Sequence, residues 1–109
     1  DSGKSVQVYP LRLFYEIDAD ETREKEIKVT FAVSRRNLKK AVDRNHIKRL
    51  MRESYRLNQY QLKDQLAIQG TLNLVFLYYI KDKFSFSAME KATIKVLGRL
   101  VKELKNPND

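Results

Sequence analysis

The stretch RRNLKKAVDRNHIKRLMRESYR, residues 35–56, carries almost all of the net charge of this 109-residue chain. It holds nine lysines and arginines against two acidic residues, which gives a net charge of +7, and the whole chain has +8. The rest of the chain is therefore close to neutral. Charge concentrated in this way indicates a surface for an anionic partner.

The same stretch has the spacing of an amphipathic helix from residue 43 onward. With Ile47 at zero and about 100° per residue, the basic and polar side chains lie between about 60° and 200°. These are Arg44, Asn45, Lys48, Arg49, Arg52 and Arg56. The apolar arc lies between about 280° and 40° and contains Ile47, Leu50, Met51, Ser54 and Leu57, while Tyr55 falls on the seam between the arcs. We therefore predict a helix that buries Ile47 and Leu50 and exposes a basic stripe beside them.

A one-sided basic helix has several possible partners. Exposed charge runs commonly mix signs at i,i+4 spacing, whereas these neighbours repel one another within the helix. A polyanion that neutralises them is the most economical explanation, and nucleic acid is the commonest polyanion. The alternatives are a solvated helix face, an anionic membrane surface and an acidic protein.

Length and composition predict one folded domain spanning residues 1–109. No apolar run approaches the ~20 residues that a membrane span requires, so no membrane partner is expected. The chain has no cysteine and a single histidine, His46, which excludes thiolate and multi-histidine metal sites and fits a reducing cytosol. Because that histidine stands alone, the serines lack a base, and we expect a cytoplasmic binding module rather than a catalyst acting by itself.

Three segments are predicted to be strands. Residues 6–17 are rich in β-formers and contain Pro10, which suggests an edge position or a bulge. Residues 27–33 alternate apolar and more polar side chains, which indicates one apolar face. Residues 72–80 are apolar on both faces and predict a central strand covered on both sides. We interpret the acidic stretch 18–24 as a hairpin turn that pairs the first two strands, with a Mg²⁺ site as the alternative use of its carboxylates.

Two helices complete the predicted set. The first begins between residues 38 and 43, with Asp43 as a candidate N-cap, and runs to about Leu66. The last opens at a capping-box pattern that starts at Ser87, and Pro107 stops it.

The order strand, strand, helix, strand, helix predicts the α+β class, as a small α/β sandwich with helices packed on a sheet. If the second and third strands are parallel, the basic helix is a βαβ crossover between them. A right-handed crossover is the default.

Residues 41–53, AVDRNHIKRLMRE, resemble the signature of the bacterial ribonuclease P protein subunit. In outline that signature reads AV-x-RN-x-(I/V)-KR-x-x-RE and follows a strand ending VS(K/R)(K/R). Here the preceding strand ends Val33-Ser34-Arg35-Arg36, and the resemblance extends over about residues 3–104. The chain has His46 where the family has the second arginine of an RNR motif.

The resemblance implies a left-handed βαβ crossover in place of the right-handed default. It also implies a protein subunit of ribonuclease P, in which the RNA subunit performs the Mg²⁺-dependent hydrolysis that removes the 5′ leader from precursor tRNA. The expected partners are the catalytic RNA and precursor tRNA, with no DNA partner. The expected cofactor is Mg²⁺, held mainly by the RNA subunit.

Matched by position, the resemblance places RNA contacts on the basic helix and the loop before it. The residues expected to face the catalytic RNA are Arg44, Asn45, Lys48, Arg49 and Arg52. The charge pattern adds Arg56, Lys39 and Lys40 to the expected RNA contacts. The segment expected beside the leader-binding cleft consists of Ser34, Arg35 and Arg36. An aromatic residue of the first strand lines that cleft in the family; Phe14 and Tyr15 both fit, and because they point to opposite faces the choice stays open.

Two other functions compete with this interpretation. One is a structural ribosomal or RNA-chaperone protein of similar fold without processing activity. The other is a stand-alone nuclease, against which the lack of a carboxylate constellation argues.

Overall fold

The computed structural model describes residues 4–66 and 68–105. Within them the elements are, in chain order, β1 (Lys4–Val8), β2 (Leu11–Ala19), β3 (Glu26–Val33), α1 (Ala41–Asn58), α2 (Tyr60–Gln65), β4 (Gly70–Tyr78) and α3 (Phe86–Lys105). The α+β prediction is confirmed.

The four strands form one sheet in the order β1-β2-β4-β3. β2 runs antiparallel to both β1 and β4, while β3 and β4 are parallel. Since parallel neighbours need a connection that crosses the sheet, α1 is the crossover that the sequence predicted.

The predicted hairpin between the second and third segments is wrong, because β4 lies between β2 and β3. In this central position the apolar β4 is hydrogen-bonded to β2 on one side and to β3 on the other. Gly70 permits its entry beside β2: it has a φ of +103°, and a Cβ there would lie 2.3 Å from the carbonyl oxygen of Asp18.

The first predicted strand is two strands, β1 and β2, joined at Tyr9 and Pro10. Val8 pairs with Leu11 across this turn. Proline has no N–H for a sheet ladder, so it occupies the turn rather than an edge position within one long strand.

The crossover helix α1 begins at Ala41, inside the predicted interval, but Asp43 is not its N-cap. The N-cap is Lys40, which makes no capping hydrogen bond with its side chain. Asp43 lies in the first turn of the helix, where a carboxylate interacts favourably with the positive end of the helix dipole. Its carboxylate also pairs with Lys83 at 3.1 Å.

The predicted single helix to Leu66 is wrong, because α1 ends at Asn58 and the chain continues as the short helix α2. The ammonium group of Lys25 donates to the carbonyl oxygens of Lys63 at 2.6 Å and Leu66 at 2.7 Å. A lysine from before β3 therefore satisfies groups that the end of α2 leaves without helical partners.

The last helix, α3, begins one residue earlier than predicted, at Phe86. Its cap is Ser85 and not Ser87, since the Ser85 hydroxyl accepts from the backbone N–H of Ala88 at 3.2 Å. The predicted stop at Pro107 lies outside the described residues.

Helices α1 and α3 pack on one face of the sheet, and α2 packs against α3. Alternate residues of β2 and β4 are buried beneath them, including Leu13 and Phe76. Phe31, Tyr55 and Phe76 form an aromatic group there, with ring centroids 5.4–6.0 Å apart. The opposite face of β4 is not covered as predicted: Val75 is 37% exposed. One side of the sheet is therefore open.

Candidate nucleic-acid interface

Helix α1 docks on the sheet through a face rotated from the predicted apolar arc toward Tyr55. Its buried residues are Ile47, Met51, Ser54, Tyr55 and Asn58. Leu50, predicted to be buried, is half-buried and packs against the core, whereas Leu57 of the predicted apolar arc is 47% exposed. The reason is tertiary: Phe31 and Phe76 stack on each other, and the Tyr55 ring packs edge-on against both, which draws that side of the helix inward.

The basic stripe lies where the sequence predicted it, beside the buried face. Asn45, Arg49, Arg52 and Arg56 are exposed, and Arg44 and Lys48 are half-buried at the boundary. Within the described residues, the side chains of Lys48 and Arg49 make no hydrogen bond or ion pair. Both cations are therefore available to an external anion.

Besides contributing charge to the basic stripe, Arg44 forms hydrogen bonds within the fold. Its guanidinium group donates to the backbone carbonyl oxygens of Leu38 at 3.0 Å and Lys39 at 2.7 Å. These bonds hold the loop of residues 34–40 against the first turn of α1. Arg44 thus orients other basic residues as well as carrying charge.

Two further arginines of the stripe contact neighbouring side chains. The guanidinium carbon of Arg52 lies 5.9 Å from the ring centroid of Phe31, and the residue remains exposed. Arg56 bonds to Glu53, and this hydrogen bond lowers the pKa of the Glu53 carboxyl. Arg56 is therefore partly neutralised, whereas Arg52 keeps its full charge.

The loop of residues 34–40 brings more positive charge to the start of α1. Ser34 is half-buried, its N–H donates to Tyr78 at 3.1 Å, and its carbonyl oxygen accepts from the N–H groups of Asn37 and Leu38. This turn leaves exposed side chains at Arg35, Arg36, Lys39 and Lys40. The structure therefore joins the predicted loop and helix residues into one basic surface.

Phe14 and Tyr15 lie on opposite faces of β2, as predicted. Phe14 is 37% exposed on the open face, and the guanidinium carbon of Arg12 lies 5.2 Å from its ring centroid. Tyr15 is buried on the helix side, where desolvation and the nearby Glu103 carboxylate raise the pKa of its hydroxyl. It lines a cavity of about 680 Å³ together with Asp18 and other residues.

The contact between Arg12 and Phe14 was not predicted from the sequence. The two residues are separated by two positions in a strand, so they share a face by the period of two. That spacing was a sufficient signal.

The acidic turn does not supply a metal centre. Among the described residues, no three histidine, cysteine, aspartate or glutamate side chains are grouped to hold an ion. Asp20 is used locally: it accepts from Thr22 and Arg23, and these hydrogen bonds lower the pKa of its carboxyl. The acidic residues of this turn therefore do not form a grouped set of Mg²⁺ ligands. No helix of the described part of the chain is both long and apolar enough to cross a bilayer.

Comparisons with known proteins identify the family to which this sequence belongs. A sequence model of the family described as Ribonuclease P matches residues 1–101. The ribonuclease P protein component of Porphyromonas gingivalis is 34% identical over 99 residues, which cover 90% of this chain and 72% of the relative. That of Chlorobium phaeobacteroides is 36% identical over 96 residues, 82% of this chain and 66% of the relative.

Two solved structures share the fold. The Staphylococcus aureus RNase P protein superposes with a TM-score of 0.66 at 17% identity, covering 90% of this chain and 81% of that one. The Thermotoga maritima RNase P protein, solved with 1-(4-fluorophenyl)-2-thiourea, gives 0.64 at 22% identity, with coverages of 89% and 85%. Together with the sequence matches, these findings place the chain in the ribonuclease P protein family, the protein components of the tRNA-processing endoribonuclease.

Proposed function

We propose that the basic stripe of α1 binds the catalytic RNA of ribonuclease P. The supporting observation is the row of Lys48, Arg49 and Arg52, which has no carboxylate partner among the described residues and adjoins the buried face that fixes the helix. Guanidinium groups bond phosphate oxygens bidentately. Because side chains read the deep groove of an RNA helix poorly, these contacts recognise the RNA by shape and backbone.

The second part of the proposal concerns the 5′ leader of precursor tRNA. Ser34, Arg35 and Arg36 form a turn whose cations project from the end of the sheet, beside the start of α1. A single strand held there lies next to the start of the RNA-binding helix, because Arg44 ties this loop to the first turn of α1. Phe14 and Tyr15 remain alternative aromatic contacts for the leader, one on each face of β2.

Mg²⁺ is proposed to belong to the RNA subunit, where it supplies the hydrolytic chemistry. The chain contributes positive charge instead. Its lysines and arginines replace some of the diffuse cations that a folded RNA and a bound leader would otherwise recruit. In this proposal the protein acts in the cytoplasm, with the catalytic RNA and precursor tRNA as its partners.

Reconstitution with a bacterial ribonuclease P RNA tests the proposal. We expect the protein to lower the Mg²⁺ concentration needed for cleavage and to improve binding of leader-bearing precursor more than that of mature tRNA. Equal improvement of both substrates would refute leader recognition. RNA binding without any effect on cleavage would favour the structural or RNA-chaperone function, and cleavage by the protein alone would favour the stand-alone nuclease.

Phe14→Leu and Tyr15→Leu separate the two aromatic alternatives. Leucine keeps an apolar side chain at either position but cannot stack on a base. Loss of leader affinity in the first variant assigns the open face, and loss in the second assigns the cavity. Unfolding midpoints of both variants provide the control.

A further inference from the structure

Three aromatic side chains cluster at the end of the sheet where β3 and β4 finish, and one of them, Phe84, also packs edge-on against the buried ring of Tyr78. The ring of Tyr9 lies edge-to-face on Tyr79, with centroids 6.4 Å apart, and tilted on Phe84 at 5.8 Å. Tyr9 is nevertheless 57% exposed. The two rings behind it hold an aromatic surface in place that the fold itself does not cover.

The cluster is tied directly to the basic loop. The Asn37 side-chain amide donates to the carbonyl oxygen of Tyr79, and the Tyr79 hydroxyl accepts from the side chain of Gln7 at 2.6 Å. Arg99 of α3 donates to the carbonyl oxygen of Gln7 at 2.7 Å. The loop, the aromatic rings and the β1–β2 turn therefore form one continuous surface.

This end of the molecule is strongly positive. The connection from β3 to α1, residues 34–40, contains four cations and no carboxylate. The connection from β4 to α3, residues 79–85, contains Lys81, Asp82 and Lys83. Both connections lie at the same end because β3 and β4 are parallel and Val33 pairs with Tyr78. The acidic turn 18–24 lies at the opposite end of the sheet, where β2 ends and β3 begins.

We propose that Tyr9, backed by Tyr79 and Phe84, is a stacking position for an unpaired base of single-stranded RNA. An exposed ring bordered by cations suits a nucleotide, whose base stacks while its phosphate meets the positive charge. An RNA helix is excluded from this role, since its bases are already stacked on one another. The inference rests on the proposed function, with the 5′ leader as the single strand.

The Tyr9 position is separate from that of Phe14. Phe14 pairs with Val75, whereas Tyr9 contacts Tyr79, four residues further along the chain. At about 3.3 Å per residue, these positions are about 13 Å apart. Of the two exposed rings, Tyr9 is the one beside the basic loop, because Asn37 of that loop bonds to Tyr79. A single RNA strand bound by Arg35 and Arg36 therefore reaches Tyr9 before Phe14.

The experiment uses the reconstituted holoenzyme and compares Tyr9→Leu with Tyr60→Leu. Tyr60 is 56% exposed on α2, so the control removes an equally exposed tyrosine far along the chain. Binding is measured for precursor with a short leader and for leaderless tRNA. We expect Tyr9→Leu to weaken binding of the leader-bearing substrate roughly five- to 150-fold, the effect of losing one stacked base, and to leave binding of leaderless tRNA unchanged. Tyr60→Leu should change neither.

A second variant distinguishes the loss of stacking from the loss of folding. Tyr9→Trp keeps a ring at this exposed position, and leader affinity equal to or above that of the parent protein supports stacking. Leader discrimination that survives in Tyr9→Leu, or that is lost equally in Tyr9→Trp, overturns this inference alone. A parent protein that improves leader-bearing and leaderless tRNA equally overturns the leader proposal as well.

Discussion

Replacing Arg49 and Arg52 together with alanine should weaken binding to the catalytic RNA and flatten its salt dependence. Both side chains are exposed on the stripe, and neither is paired with a carboxylate of the described residues. Each phosphate contact contributes about 0.7–0.9 to the slope of log K against log salt, so the loss of two contacts should reduce the slope by about 1.4–1.8.

The fold should survive this double replacement. Arg49 has no partner within the described part of the chain, and such surface changes alter the free energy of unfolding by less than about 0.5 kcal/mol. Arg52 lies over Phe31 at 5.9 Å, a contact that contributes about 0.5–1 kcal/mol at exposed sites. A domain of this size should therefore lose only a few degrees in Tm.

The assay is equilibrium binding to the catalytic RNA at fixed Mg²⁺ over a series of monovalent salt concentrations. Lys91→Ala/Lys95→Ala is the matched control, because both lysines are exposed on α3 and the double change removes the same charge. If the control flattens the slope as much as the arginine variant, net charge and not the stripe is responsible. Unchanged RNA affinity with a lowered unfolding midpoint would show that Arg49 and Arg52 are structural.

The remaining predictions concern stability and are read from unfolding curves. Ile47→Ala should cost about 2–5 kcal/mol because the side chain is fully buried, and half-buried Leu50→Ala should cost clearly less; equal costs would contradict the helix orientation. Lys25→Met should cost about 1–3 kcal/mol by leaving carbonyl oxygens at the end of α2 unsatisfied, while exposed Lys28→Met should cost almost nothing. Burial raises the pKa of Tyr78 from 10.0 to about 12, so stability should be full below pH 10 and fall as the pH rises toward 12. Tyr78→Phe should flatten that decline, and an equally steep decline would assign it to other groups.

The position of the basic helix was predictable because a helical period is local. Residues three and four apart share a face whatever the rest of the fold does. The stripe from Arg44 to Arg56 therefore appears in the structure as the sequence implied, and α1 begins inside the predicted interval. Errors at helix ends arose where neighbouring residues compete for one role, as Ser85 and Ser87 do at the start of α3.

Strand neighbours were less predictable, since pairing joins residues distant in sequence. The apolar pattern of β4 indicated a central strand, but only the packed sheet shows that it separates β2 from β3. Likewise, the rotation of α1 toward Tyr55 depends on rings from two strands that no helical wheel contains.

The sequence by itself therefore determined the helix that carries the charge, the family signature and the opposite orientations of Phe14 and Tyr15. Tertiary structure decided which side of the sheet the helices cover, and so which of these rings is exposed. It also assembled Tyr9 with Tyr79 and Phe84, which lie some seventy residues later in the chain. Local periodicity depends on backbone geometry alone, whereas burial and long-range contact depend on which surfaces finally pack together.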